Sequence, residues 1–210
     1  MMRKLRFVPV FLSAAALAVL TGCTPDNAND AKPVIYLYPE QEEKVTVELD
    51  YSGELTCTYP AYDGGWTVTA QPDGTLTDET SGKEYNYLFW EGTTDIQYDF
   101  SSGFVVAGGD TAQFLEEKLA YMGLNERERN EFIVYWLPQM EENAYNLIAF
   151  QGDVYTDHAR LHITPEPDSM LRVFMAYKPL DRPVTVPEQQ LASFEREGFT
   201  VVEWGGARIE

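Results

Sequence analysis

The sequence predicts an α+β fold, and three observations support this prediction. Short stretches rich in β-branched and aromatic residues, separated by turn sequences, occupy most of residues 34–107. Between residues 110 and 140 the apolar residues instead recur at helical spacing. Strand-like stretches return after residue 147. We therefore expect an antiparallel β-rich half, built as a sandwich or half-barrel, followed by a helix pair and further strands.

The first half is predicted to consist of short strands. Val45, Val47 and Leu49 alternate with polar residues, which is typical of a strand with one buried face. The turn sequence at residues 72–74 favours a hairpin between strands at 66–70 and 75–77. Because Cys57 falls on the apolar side of its strand, we expect a buried structural thiol rather than a nucleophile. Further strands are expected at residues 34–38, 55–59, 85–90 and 103–107.

Both helices of the pair carry start signals. Asp110 with Gln113, and Asn125 with Glu128, have the spacing of a capping box. Pro138 is expected to lie near the end of the second helix, because proline breaks the hydrogen-bond ladder of a helix interior.

The C-terminal part returns mostly to strands. Residues 187–197 are expected to form a short C-terminal helix, with Leu191 and Phe194 facing inward and Gly198 closing it. Strands are expected around it at residues 147–150, 160–164, 171–177 and 199–204.

The first 22 residues have the features of a secretory leader. Three basic residues within the first six precede an apolar run at 7–20, which is too short to span a bilayer. Residues 20–23 (LTGC) resemble the lipobox of bacterial lipoproteins. This resemblance implies cleavage after Gly22 and diacylglycerol on Cys23. We therefore expect an exported, outward-facing protein attached to the cell membrane by its lipid.

The mature chain is predicted to be one domain on a short tether. Residues 23–32 are polar and lack an apolar period, so we expect a flexible tether there. Residues 33–210 show no internal repeat or linker, and they carry 4 Trp, 13 Tyr and 11 Phe for a core. A single globular α+β domain is expected over this range.

The charge of the chain excludes some partners. The formal net charge is −19, and removing residues 1–22, which contain three basic and no acidic residues, makes it −22. Such a surface repels nucleic acid and anionic headgroups, so we expect no nucleic-acid partner, and membrane attachment has to come from the lipid. The field would favour a cationic ligand or Ca²⁺, although solubility at a cell surface is the simpler interpretation.

The sequence carries little catalytic chemistry. Its two histidines, His158 and His162, are predicted to lie roughly 13 Å apart along a strand, which is too far to share a metal ion. Asp157 and His158 offer a base, but no serine-nucleophile motif accompanies them. We expect neither metal nor cofactor. With 34 acidic residues, some carboxylate pair suited to glycoside hydrolysis exists by chance alone.

Binding rather than catalysis is the leading functional prediction. The aromatic residues of the predicted strands are expected to be mainly core. The turn carrying Tyr62 and Asp63, next to Trp66, is the predicted place for a loop-borne ligand-binding patch. A glycan and an extracellular protein are the candidate partners.

Several stretches together resemble a family of uncharacterised secreted or lipid-anchored proteins, seen in Gram-positive gut bacteria and some fungi. The resemblance implies one continuous extracellular domain and assigns no catalytic residue. It is carried by residues 32–39 (KPVIYLYP), 65–74 (GWTVTAQPDG), 87–92 (YLFWEG) and 198–206 (GFTVVEWGG).

Three functional hypotheses remain open from the sequence. The first is a non-enzymatic surface domain that binds a ligand or protein. The second is a hydrolase of an extracellular polymer, which predicts a cleft with two acids about 5–9.5 Å apart. The third is an inhibitor or immunity-type partner of an exported enzyme, which predicts one protruding loop.

Overall fold

The computed structural model describes residues 28–210, which form two sheets and a helix pair in three layers. The α+β class is confirmed. The helices are α1 (Thr111–Met122), α2 (Glu126–Met140) and the short α3 (Asp153–His158). The strands are β1 (Ala28–Tyr38), β2 (Glu43–Tyr51), β3 (Glu54–Tyr59), β4 (Trp66–Ala70), β5 (Leu76–Asp78), β6 (Glu84–Tyr85), β7 (Leu88–Thr94), β8 (Phe104–Ala107), β9 (Tyr145–Gln151), β10 (Ala159–Thr164), β11 (Ser169–Leu180) and β12 (Thr200–Arg208).

The middle layer is a seven-stranded sheet of order β3-β7-β1-β12-β11-β9-β8. One face carries α1 and α2, and the other faces a five-stranded sheet of order β10-β2-β4-β5-β6. Val34 and Tyr36 pack in the helix-side core, whereas Ile35 and Leu37 pack in the core between the sheets. Both faces of β1 are therefore buried, which explains why its sequence is a continuous apolar run rather than an alternation.

The helix pair forms as predicted, with one difference at its start. The Asn125 side chain and the Glu128 side chain each accept the other's backbone N–H, which confirms the capping box of α2. Asp110 makes no side-chain cap hydrogen bond, so the capping box predicted for α1 is wrong. Pro138 lies in the last turn of α2, as expected. None of the helices in residues 28–210 is long and apolar enough to cross a membrane.

The predicted helix at residues 187–197 is wrong, because this segment has no helical residues. It belongs to the connection between β11 and β12, which are parallel neighbours and so require a crossover. Gln189 bonds through its side chain to the backbone N–H and C=O of Phe150, and Arg196 bonds to the carbonyl of Gly123. These tertiary contacts outweigh the local helical pattern.

Two other predictions, one strand and the tether, need correction. The predicted strand 85–90 is divided, because the chain leaves the five-stranded sheet after Tyr85 and enters the seven-stranded sheet at Leu88. The predicted tether is too long, because β1 begins at Ala28 and its first residues pair with β7. Residues 1–27, including the predicted leader and Cys23, lie outside the described residues.

Cys57 is exposed, which contradicts the prediction of a buried thiol. It lies on β3, an edge strand of the seven-stranded sheet. The pairing register of β3 with β7 shifts between Leu55 and Cys57, as in a β-bulge. Because a bulge interrupts the alternation of side chains, Leu55 packs in the core between the sheets while Cys57 does not.

Candidate functional site

The helices leave part of the seven-stranded sheet uncovered. On its helix side, Phe89 and Glu91 of β7 are only half-buried. The residues paired with them on β3 are Tyr59 and Cys57, and both are exposed. Directly paired residues of neighbouring strands share one face of the sheet. An edge of the sheet therefore presents aromatic side chains to solvent, next to α2.

Lys32 occupies the centre of this region. Its φ of 60° is the only positive φ of a non-glycine residue among residues 28–210. It lies where the register of β1 with β12 and β7 shifts before Val34, as in a bulge. The Lys32 ammonium nitrogen lies 5.1 Å from the ring centre of Tyr87, 5.2 Å from that of Phe89 and 5.9 Å from that of Tyr135. Three aromatic rings thus surround the ammonium at cation–π distance.

Glu91 holds the main chain of Lys32 rather than its ammonium. Its Oε1 accepts a hydrogen bond from the Lys32 backbone N–H at 3.3 Å. The Lys32 ammonium lies 3.4 Å from the Tyr87 hydroxyl, and no carboxylate among the described residues forms a salt bridge with it. The lysine charge is therefore left without a neutralising partner in residues 28–210.

Two tyrosine–glutamate hydrogen bonds fix α2 against β1. The Tyr36 hydroxyl donates to Glu131 at 2.6 Å, and the Tyr38 hydroxyl donates to Glu128 at 2.8 Å. Burial, together with the neighbouring glutamate, raises the pKa of each tyrosine, so both phenols stay protonated donors. Because α2 is held in this way, Tyr135 of the same helix is positioned over Lys32.

We name the set Lys32, Tyr87, Phe89, Glu91 and Tyr135 the aromatic face. It offers half-exposed rings, phenol hydroxyls, one cation and one carboxylate. Burial and then the charge of Glu91 raise the pKa of Tyr135, so this ring also keeps its hydroxyl proton. Groups of this kind suit reversible binding, because rings supply apolar contact area and hydroxyls supply hydrogen bonds.

A second charged cluster lies on the opposite side of β1 and is closed. Asp30 has no exposed surface. It accepts hydrogen bonds from the Tyr51 hydroxyl at 2.9 Å, from the Tyr98 hydroxyl, and from His158 Nε2 at 3.0 Å. His158 Nδ1 lies 2.8 Å from the carbonyl of Val154. Both partners of the imidazole offer acceptor oxygens, so a doubly protonated His158 would satisfy both contacts.

The pKa of His158 agrees with this assignment. Burial acts to lower it, but the hydrogen bonds to Asp30 and to Val154 outweigh burial and raise it. A further buried pair joins Arg172 to Glu203 at 2.7 Å, and Glu203 also accepts from Trp90 Nε1 at 3.2 Å. In both clusters every buried carboxylate is neutralised, so we interpret them as structural ion pairs.

The predicted patch at Tyr62, Asp63 and Trp66 is only partly at the surface. Trp66 is 2% exposed and its Nε1 donates to the Pro60 carbonyl at 2.9 Å, so it is a core residue. The Tyr62 hydroxyl is tied to the backbone of Leu49 and its ring packs on Trp66. Asp63 is exposed and lines, with Trp66, a cavity of about 490 Å³. Trp66 and Tyr62 are therefore packing residues, because their polar atoms bond inward.

The histidines and acidic residues of the described chain do not form a second candidate site for metal binding or acid–base catalysis. His158 ends α3 and contacts Asp30, whereas His162 is exposed on β10. Residues 28–210 contain no group of three His, Cys, Asp or Glu residues able to hold a metal ion. Four carboxyl groups among the described residues have a shifted pKa. In each of them hydrogen bonds from nearby backbone or side-chain groups at the surface lower the pKa. These groups are Asp73, Asp78, Glu79 and Asp99.

Sequence reasoning missed the aromatic face, although its residues fall in two stretches that carry the family resemblance. Residues 32–39 supply Lys32, and residues 87–92 supply Tyr87, Phe89 and Glu91. The one sequence signal for a less buried face was Glu91, a charged residue that ends the apolar run of β7. The position of Tyr135 near Lys32 could not be predicted from the sequence, because it depends on how α2 packs against the sheet.

The fold and the site together define an α+β protein with an aromatic sheet face that carries one lysine and one glutamate. An uncharacterized protein encoded in the bglA 3' region of Butyrivibrio fibrisolvens is 43% identical to this chain over 98 residues. The match covers 43% of this chain and 99% of that protein. The chain therefore belongs to the same family as the Butyrivibrio protein. No family model and no solved structure matches it.

Proposed function

We propose that this protein is a non-enzymatic surface lipoprotein that binds a glycan on its aromatic face. The observation that carries the proposal is the half-exposed ring cluster of Tyr87, Phe89 and Tyr135 around Lys32. The Cys57 thiol is paired with Glu91 across the strands, but it forms no hydrogen bond with Glu91 or with another base among the described residues, and catalysis by covalent attack would need such a bond. Binding is the chemistry that this set of groups supports best.

A sugar ring suits the aromatic face better than a flat apolar ligand does. The weakly positive C–H groups on one side of a pyranose are attracted to the negative face of an aromatic ring. Its hydroxyl groups can then exchange hydrogen bonds with Tyr87, Tyr135 and Glu91 at the margin of the contact. The half-burial of these side chains limits the entropy that they lose when a ligand orders them.

Attachment to the membrane would come from the lipid on Cys23. The acidic surface, at −19 for the whole chain, opposes adsorption to anionic headgroups and so gives no alternative means of attachment. A Cys23→Ser chain should therefore leave the membrane fraction when cells are fractionated, while the unaltered chain stays with it.

Tyr135→Ala tests the glycan proposal. The purified full chain is run through native gels that contain neutral and acidic cell-wall polysaccharides, and retardation is measured for each. We expect at least one polysaccharide to retard the unaltered chain and Tyr135→Ala to weaken that affinity about tenfold or more, the factor for roughly 1.4 kcal/mol of lost stacking.

Tyr121→Ala is the matched control, because Tyr121 is 55% exposed on α1, outside the aromatic face. It should leave retardation unchanged. The proposal fails if no polysaccharide retards the unaltered chain, or if the two tyrosine variants lose affinity equally.

A further inference from the structure

We infer that the glycan bound by the aromatic face is acidic, and that Lys32 recognises a carboxylate carried on its sugar ring. The inference rests on the proposed function and names the ligand class for the same site. Three features of Lys32 support it: the unneutralised charge, the fixed position of the residue, and the contrast with the rest of the surface.

The charge of Lys32 is available to a ligand. Its ammonium contacts aromatic rings and the Tyr87 hydroxyl, and none of the salt bridges among residues 28–210 involves it. Lys32 is half-buried, so solvent reaches the side chain. An ammonium desolvated on one side by rings and unpaired on the other gains more from a ligand carboxylate than a fully hydrated lysine does.

The position of Lys32 is set before any ligand arrives. Its φ of 60° places the backbone in the left-handed region, which is strained for a non-glycine residue. The hydrogen bond from its N–H to Glu91 and the three surrounding rings hold this conformation. A strained residue that the surroundings hold in place is typical of ligand sites, because the ligand then meets a preorganised group.

The ring and the charge lie at the right spacing for one sugar residue. The centres of the Tyr87 and Phe89 rings lie 5.1 and 5.2 Å from the ammonium. Because the ammonium itself lies over these rings, a pyranose has to stack beside it, on the part of a ring that the lysine leaves open, and a carboxylate on its C5 then comes within reach of the ammonium. A chain with 34 acidic and 15 basic residues repels polyanions generally, so binding of an acidic glycan has to depend on this local cation.

The test compares two forms of one polymer. Polygalacturonate carries a carboxylate on every ring, and its fully methyl-esterified form has the same rings without the charge. We expect the purified full chain to bind polygalacturonate at least tenfold more tightly than the ester. Lys32→Met should lower the polygalacturonate affinity to that of the ester, and Lys32→Arg should retain most of it.

Lys118→Met is the matched control. The Lys118 ammonium also lies over an aromatic ring, 4.7 Å from the centre of Phe104, but on α1 away from the aromatic face. Its substitution should leave both affinities unchanged. Melting temperatures of all variants establish that they are folded.

The other outcomes separate the two proposals. Equal affinity for polygalacturonate and its ester, with Tyr135→Ala weakening both, overturns the role of Lys32 and leaves glycan binding intact. A glycerol-phosphate polymer that binds as tightly as polygalacturonate overturns the assignment to a ring carboxylate, because that polymer has charge without a sugar ring. Failure of every glycan to bind the unaltered chain overturns the proposed function itself.

Discussion

Asp30 and Lys32 lie two residues apart on β1 and have opposite environments. Asp30 is fully buried and bonded to His158 and two tyrosines, whereas Lys32 reaches solvent and forms no salt bridge with the described residues. Residues i and i+2 of a regular strand would share a face of the sheet. The bulge before Val34, with Lys32 at positive φ, sends the two side chains to opposite sides.

The difference separates a charge that stabilises the fold from a charge to which the proposed function assigns ligand binding. A charge taken into the interior is stable only when every polar partner is present, so Asp30 and His158 are committed to each other. A charge held by rings at the surface costs less to desolvate and stays free for a ligand. We therefore expect substitutions at Asp30 to affect stability and substitutions at Lys32 to affect binding.

The largest effect is expected for Asp30→Asn. The amide has nearly the same shape but no charge, so the His158 imidazolium is left buried without its partner. We expect a loss of about 3–5 kcal/mol in the free energy of unfolding, measured by urea denaturation. Asp95→Asn, an exposed residue just after β7, should change it by less than about 0.5 kcal/mol. A loss below about 1 kcal/mol for Asp30→Asn would contradict a buried ion pair.

A smaller effect is expected from pH. The pKa of His158 is raised in the folded protein, so its pairing stabilises the fold fully below the unfolded pKa and is lost as pH rises through the folded pKa. The free energy of unfolding should therefore fall as the pH rises above about 6.5, the ordinary pKa of histidine. His158→Gln should remove this decline.

His162→Gln is the control for the pH experiment, because His162 is the other histidine and is exposed on β10. Its substitution should leave the decline unchanged. If both variants keep the decline, its source is a group other than His158, and the imidazolium assignment loses its support.

The parts of the fold that sequence predicts well are those set by neighbours along the chain. The alternation of Val45, Val47 and Leu49 predicts β2, and Asn125 with Glu128 predicts the start of α2, since both signals act within a few residues. The segment at residues 187–197, in the connection between β11 and β12, shows where prediction from local sequence fails. Its helical pattern is outweighed by contacts with β9 and α2, which no local signal reveals.

Most of the candidate site depends on such distant contacts. Asp30 meets His158 across 128 positions of sequence, and Lys32 meets Tyr135 only after α2 has docked. The bulge in β3 that exposes Cys57 has no signature in the alternating residues around it. The resemblance to a family marked the two stretches that build the aromatic face, but the structure was needed to bring them together.

The smallest predicted effect tests the strain at Lys32. Lys32→Gly and Lys32→Ala both remove the ammonium, so both lose its contacts with the rings. They differ in the cost of a φ of 60°, which glycine accepts freely and alanine resists by about 1–2 kcal/mol. We expect the glycine variant to have the higher free energy of unfolding, by about 1 kcal/mol.

Lys44 on β2 is the control position for the Lys32 variants, because it is an exposed lysine and is not among the residues with positive φ. Both Lys44 variants lose the same salt bridge to Glu79, and there alanine should be the more stable by about 0.5–1 kcal/mol. A preference for glycine at position 32 and for alanine at position 44 would locate the strain at Lys32, in the proposed ligand site. The same preference for alanine at both positions would mean that Lys32 is not strained, and the aromatic rings alone would then have to position its charge.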